Sequence, residues 1–234
     1  MISLVIPVYN EGENILELLA KIKNIIPEDN EINIIYDFEN DTTLSVINKN
    51  YDIKNQFNIN LLKNDINPGV AGAIKKGLQS SKGNYILVLM ADLSDEFSDI
   101  PKMLKKMDEG YDIVCGSRYM KGGKQIGGGV LKTFLSKFAG KTLRFLSRIP
   151  TSDASNNFKL YKKSVIDNIN IEGTISAAIA LEITVKAFKK GYKIAEIPTI
   201  WRERKKGKSN FKLFKWIPIY LKWYFYCIFK IPFK

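Results

Sequence analysis

Three short polar clusters carry the residues best able to do chemistry. They are Pro7-Val8-Tyr9-Asn10-Glu11, the run from Asp37 through Glu39 and Asp41 to Thr43, and Ala91-Asp92-Leu93-Ser94-Asp95. Each follows a β-rich segment. A lone Asp in such a loop is ordinarily a helix N-cap, but carboxylates after three strands point to one shared site, because loops at the carboxyl ends of parallel strands converge with helix N-termini. The chain contains no His, which removes imidazole bases, Ser-His triads and the commonest zinc sites. Any metal bound here is therefore a hard cation on oxygen ligands. The cationic counterparts are Arg118, at a strand end, and Arg204, in the stretch Arg204-Lys205-Lys206-Gly207-Lys208-Ser209. Lys132 and Ser136 stand four residues apart, on one face of a predicted helix. Guanidinium groups in particular grip paired oxygens of an anion.

The elements that must position these groups alternate. Strands are predicted at residues 3–8, 32–37, 57–62, 85–90, 111–116 and 193–197, and helices at 14–26, 43–50, 71–79, 100–108 and 177–190. That order predicts βα units and a mostly parallel sheet flanked by helices. Gly110 and Gly191 follow two of the helices, where a left-handed residue closes the last turn. A chain of 234 residues is long enough for one sizeable core. Without an internal repeat or low-complexity linker, it reads as one domain over residues 1–210. A basic, aromatic, amphipathic segment follows at 211–234, either part of that domain or a helix at a membrane interface. Cys115 and Cys227 lie far apart and form no CxxC, so they read as reduced thiols of a cytosolic chain. The first residues have no basic region or cleavage site and read as a strand, not a signal peptide.

Charge narrows the partners. The 36 Lys and Arg against 24 Asp and Glu give a net +12. Residues 113–152 hold eight Lys/Arg and no acid, and residues 202–234 hold ten with Glu203 as the one acid, which leaves 18 basic and 23 acidic residues elsewhere. In both basic segments the cations alternate with large apolar residues. Leu131, Phe134, Leu135, Phe138, Phe145 and Leu146 recur at helical spacing within 130–148, while Phe211, Phe214, Trp216, Trp223, Tyr224, Phe225, Tyr226 and Phe229 crowd the C-terminal segment. Trp, Tyr and Lys together suit a membrane–water boundary. No apolar run reaches 18 residues, since Lys222 interrupts the longest candidate, so the expected partner is the surface of an anionic membrane. The alternative is that both helices pack on the protein's own core with solvated lysines. No nucleic-acid motif accompanies the charge, and nucleic acid is not an expected partner.

Val5-Ile6-Pro7-Val8-Tyr9-Asn10-Glu11 resembles the opening motif of the family 2 glycosyltransferases, inverting enzymes with the GT-A fold. Asp37 through Thr43 resembles their second-strand Asp-rich loop, with Tyr36 and Phe38 where that family usually has Asp and Gly. Asn67-Pro68-Gly69-Val70-Ala71-Gly72-Ala73 resembles the next block, and Ala91-Asp92-Leu93-Ser94 the Asp-x-Asp metal motif with its first Asp replaced by Met90. Gly116-Ser117-Arg118-Tyr119, Asp153-Ala154-Ser155-Asn156-Asn157-Phe158-Lys159 and the stretch from Arg204 to Ser209 resemble the dolichol-phosphate mannose synthase branch. Seven segments in the family's order span residues 2–211.

The resemblance implies an α/β, Rossmann-like GT-A domain that transfers a sugar from a nucleotide sugar (GDP-mannose or a UDP-sugar) to a polyprenyl or dolichyl phosphate. It implies a donor pocket of Pro7, Tyr9, Glu11, Asp37, Asn67, Gly69 and Asp92, with Mg²⁺ or Mn²⁺ on Asp92 against the diphosphate. Arg118, Lys132, Ser136 and Ser209 would receive the acceptor phosphate, with Asp92, Arg118 and Arg204 as the catalytic set. A lipid phosphate is already anionic near neutral pH and needs orientation by cations, whereas a hydroxyl acceptor needs a base. The chain is thus expected on the cytoplasmic face of a membrane, held peripherally, through a membrane-anchoring partner, or as a homo-oligomer. Two other readings remain open here: a soluble family 2 enzyme with a hydroxyl acceptor, and a catalytically silent GT-A subunit.

Overall fold

The computed structural model describes residues 1–174, 176–204 and 213–229. Side chains at 54, 176, 177 and 213–216 fall outside the description, as do Ser209, Phe211 and the basic run at 205–208.

Seven strands form one sheet: β1 (Ile2–Pro7), β2 (Asn30–Tyr36), β3 (Ile59–Lys63), β4 (Tyr85–Val88), β5 (Ile113–Ser117), β7 (Lys159–Lys162) and β8 (Ile194–Pro198). Two short strands, β6 (Lys124–Ile126) and β9 (Ile200–Arg202), pair separately. The order across the sheet is β3-β2-β1-β4-β7-β5-β8, parallel except for β7, which runs antiparallel to both neighbours. The six expected strands are present, with ends shifted by at most two residues. β7 is the central strand that periodicity missed, because Lys-Leu-Tyr-Lys has no apolar alternation to mark it.

Both faces are covered, as a parallel sheet requires. Alternation along β1 sends Leu4 and Ile6 to one core with α1 (Ile15–Ile22) and α5 (Ile100–Asp108), and Val5 to the other with α4 (Val70–Ser80) and α8 (Ser176–Lys189). Gly110 and Gly191 close α5 and α8 at φ +91° and +84°, where the sequence places them. Helices α2 (Thr42–Lys49), α3 (Tyr51–Gln56) and α7 (Lys163–Asp167) complete the flanks, α3 and α7 being too short to show a periodic stripe.

The two basic helices stand to one side. α6 (Val130–Ser147) buries only Gly140 and Leu143, leaving Val130 at 88% and Phe145 at 84% exposure. Leu131, Phe134, Leu135, Phe138 and Leu146 are exposed too. The α6 helix therefore does not pack its apolar stripe into the protein's own core. α9 (Leu213–Ile228) does so in part: Trp223 and Cys227 join Leu143, Leu181 and Val185 in a third cluster, while Ile217, Leu221, Phe225 and Phe229 stay exposed. No described helix is long and apolar enough to cross a membrane.

Candidate functional site

The loops that follow β1, β2 and β4 open onto one cleft of about 1520 Å³. It lies outside the carboxyl ends of the strands, at the point between β1 and β4 where chain order reverses, the position where open α/β sheets bind ligands. Because β7 is antiparallel, the segment preceding it, 153–158, reaches the same edge. Pro7, Tyr9, Glu11, Asp37, Gly69, Asp92, Arg118, Lys132, Ser136 and Arg204 all line this cleft. Asn67 does not. Its carbonyl accepts from Asn64 Nδ2 at 2.6 Å and serves the loop instead.

Asp37 ties the end of β2 to that loop. Its Oδ1 accepts from Asn64 Nδ2 and its Oδ2 from the Gly69 amide, both at 2.7 Å. Each oxygen retains a lone pair, since a carboxylate offers about four acceptor sites. The backbone passes closely here: a Cβ on Gly72 would sit 1.8 Å from the Asn67 carbonyl oxygen. Gly72→Ala is expected to lower stability by roughly 1–3 kcal/mol, the usual cost of overpacking, read as a fall in urea midpoint. An unchanged midpoint would contradict this packing.

Arg204 lies between two carboxylates of the cleft. Its Nη2 donates to Asp92 Oδ2 at 2.7 Å, and its Nη1 lies 3.8 Å from Glu11 Oε1. Burial raises the Glu11 pKa above the ordinary range, opposed by Asn14 and Arg204 and reinforced by Asp92 and Asp41. Burial likewise pushes Asp95 up to about 7, with the charge of Asp92 next in importance. Among the described residues, no three of His, Cys, Asp and Glu converge as a ready metal cluster. Asp92, with Asp95 beside it, still suits a divalent cation that takes one or two carboxylates and completes its shell from phosphate oxygens and water.

The cations gather farther along. Arg118 is clamped by Asp153, with Nε to Oδ2 at 2.7 Å, Nη2 to Oδ1 at 2.8 Å, and its own amide to Oδ2 at 3.0 Å. Burial alone would lower the Arg118 pKa, but the Asp153 charge and hydrogen bonds outweigh it and raise it. Nη1 has no protein partner among the described residues and is available to an oxyanion in the cleft. Lys132 is half-buried, and burial lowers its pKa, helped by the charge of Arg118, opposed by Glu203 and helped again by Arg204. Ser136 Oγ accepts from Tyr119 Oη at 2.9 Å. Beyond these groups the cleft becomes an apolar groove, with Leu135 and Phe138 of α6 facing Ile217, Tyr220, Leu221 and Tyr224 of α9. The two helices are joined by the bond from Tyr224 Oη to Thr142 Oγ1 at 2.8 Å. The part α9 plays in the cleft had no local signal, because its residues come from the far end of the chain.

The model of the family described as "Glycosyl transferase family 2" matches residues 3–169. The chain belongs to glycosyl transferase family 2. This family 2 chain is 30% identical over 214 residues to a dolichol-phosphate mannosyltransferase of Pyrococcus furiosus, covering 90% of the chain but 59% of the relative's length. It is 26% identical over 211 residues to a polyprenol monophosphomannose synthase of Mycolicibacterium smegmatis, covering 88% and 79% of the two chains. Among solved structures, glucosyl-3-phosphoglycerate synthase of Mycobacterium tuberculosis with Mn²⁺, UDP and glucosyl-3-phosphoglycerate superposes at a TM-score of 0.69. That match covers 100% of this chain and 81% of the other at 15% identity. The same synthase with Mg²⁺ and UDP gives 0.68, also at 15% identity. At such identity the likeness speaks to fold alone, and it is the GT-A fold expected from the motifs.

Proposed function

We propose that this chain is an inverting glycosyltransferase that moves one sugar from a nucleotide sugar to a polyprenyl phosphate at a membrane surface. The observation that carries the reading is the gradation along a single cleft. Carboxylates lie at the strand ends, three cations in the middle, and an apolar groove runs out between two helices whose outer faces are exposed. The anion-seeking middle is the diagnostic part, because burial and the charge of Arg118 hold Lys132 below its ordinary pKa against the opposing charge of Glu203, and a phosphate bound beside Lys132 and Arg118 would lessen the repulsion between them. A lipid phosphate offers such an anion together with a chain for the groove.

On this reading Pro7, Tyr9, Glu11, Asp37 and Gly69 hold the nucleoside, and Arg118, Lys132 and Ser136 orient the acceptor phosphate. A Mg²⁺ or Mn²⁺ bound by Asp92 and by ligand oxygens would neutralise charge growing on the departing diphosphate. Arg204, already on Asp92, is placed to share in stabilising that anion. No general base is required, since the attacking phosphate oxygen is ionised. Asp153 is not available as one, because both its oxygens are engaged by Arg118. The exposed stripes of α6 and α9, flanked by lysines, support peripheral attachment to an anionic leaflet, and the buried free thiols Cys115 and Cys227 accord with the cytoplasmic side.

The test is to incubate the full chain with radiolabelled GDP-mannose or UDP-sugars, Mn²⁺, and undecaprenyl or dolichyl phosphate in anionic vesicles. The expected result is label in the organic phase with at least one donor. Label that appears only on a water-soluble hydroxyl acceptor, or with no donor at all, would reject the lipid-phosphate reading.

A further inference from the structure

Met90 stands where a hard ligand would help hold a divalent cation, and a thioether is a poor partner for Mg²⁺ or Mn²⁺. Its sulfur instead meets Asn157 Nδ2 at 4.0 Å. The loop after β4 folds back on itself: Leu93 takes φ +60°, the Ser94 amide donates to Asp92 Oδ1 at 3.1 Å, and the Met90 amide donates to Asp95 Oδ2 at 3.3 Å. The fold-back returns the Asp95 carboxyl to the backbone of residue 90, on the cleft side of the loop.

We propose that Asp95 supplies, beside Asp92, the second carboxylate of the divalent-cation site that Met90 leaves short of a ligand. The inference rests on the metal-assisted reading above. Asp95 lines the cleft yet is only 8% exposed, and its Oδ1 accepts no hydrogen bond from any described residue. The one bond to Oδ2 is long. No described lysine or arginine forms an ion pair with it; the charges acting on it are Asp92, which repels, and Arg118, whose opposing attraction is the weaker of the two. A largely buried carboxyl beside a second carboxylate is costly for folding alone. A divalent cation bridging the two would offset both the desolvation and the repulsion, and Ser94, which lines the same cleft, offers a neutral hydroxyl and not a second negative charge.

A purely loop-closing role makes a different prediction, because an amide oxygen can accept from the Met90 amide as well as a carboxylate does. Asp95→Asn separates the two roles and is expected to fold, since it matches the neutral carboxyl in shape. Binding of Mn²⁺ to the full chain is read from loss of the free-ion electron paramagnetic resonance signal, with UDP and with GDP in parallel, alongside nucleotide binding and thermal unfolding. Asp95→Asn should weaken Mn²⁺ binding at least about tenfold, and Met90→Asp added to it should restore most of the loss. Unchanged Mn²⁺ binding in Asp95→Asn overturns the assignment while leaving the metal-assisted reading intact. A native chain that binds nucleotide but takes up no Mn²⁺ with either one overturns both. Should Asp95→Asn unfold, Met90→Asp in the otherwise native chain decides: tighter Mn²⁺ binding supports a site short of one ligand, and no change counts against it.

Discussion

Asp92→Asn is expected to reduce sugar transfer by about three orders of magnitude while shifting thermal stability little. Electrostatic groups aimed at a developing anion contribute on the order of 10²–10³ in rate when removed singly, and this substitution removes two such effects at once. The cation loses the carboxylate assigned to hold it, and Arg204 loses the partner that now fixes its guanidinium at 2.7 Å. Asn keeps an oxygen for the Ser94 amide, so the loop should hold its shape. Initial rates of label transfer to lipid phosphate, paired with a thermal melt, make the comparison. A variant that transfers within tenfold of the native rate would remove Asp92 from the chemistry and with it the proposed place of the metal.

Asp153→Ala is expected to cost roughly 3–5 kcal/mol of stability, the scale for stranding one member of a buried ion pair. The Asp153 side chain is 0% exposed and that of Arg118 13%, so solvent screens their attraction little. Three hydrogen bonds are lost together, and a guanidinium remains beside Lys132 without its counter-charge. Combining Asp153→Ala with Arg118→Met should recover much of the stability, because no unpaired charge is then left buried. Transfer should stay abolished, since the cation proposed to orient the acceptor phosphate is gone. Urea denaturation of the native chain, both single variants and the double variant gives the coupling directly. If the two single losses simply add, Arg118 and Asp153 do not act as a unit, and the case for Asp153 as the residue that aims Arg118 fails.

The outcome at this pair bears on what could be read in advance. Arg118 and Asp153 are both visible in short motifs, but nothing local says that they meet. Their contact depends on β7 entering the sheet between β4 and β5 in the opposite direction, which carries 153–158 to the carboxyl edge of the parallel strands. β7 escaped notice because Lys159, fully buried, satisfies its ammonium with the carbonyls of Asp153, Ala154 and Asn156. A lysine in a core position looks like a surface residue until those carbonyls are in view. Asn67 is a case of the opposite kind, a motif residue that the structure leaves outside the cleft lining. Its motif suggests a ligand contact, whereas the chain uses its carbonyl to hold Asn64 and the Asp37 turn in place.

Six strands, the mostly parallel sheet they form, the family and the chemistry of the strand-end loops were legible along the chain itself, because each rests on local periodicity or on contiguous motifs whose residue types suit one task. Tertiary structure alone decided which groups share a cavity: the clamp of Asp153 on Arg118, the return of Asp95 to residue 90, and the groove that α9 closes against α6. Those relations join residues 5 to more than 80 positions apart. Their energies come from burial and charge at close range, which composition and spacing do not encode.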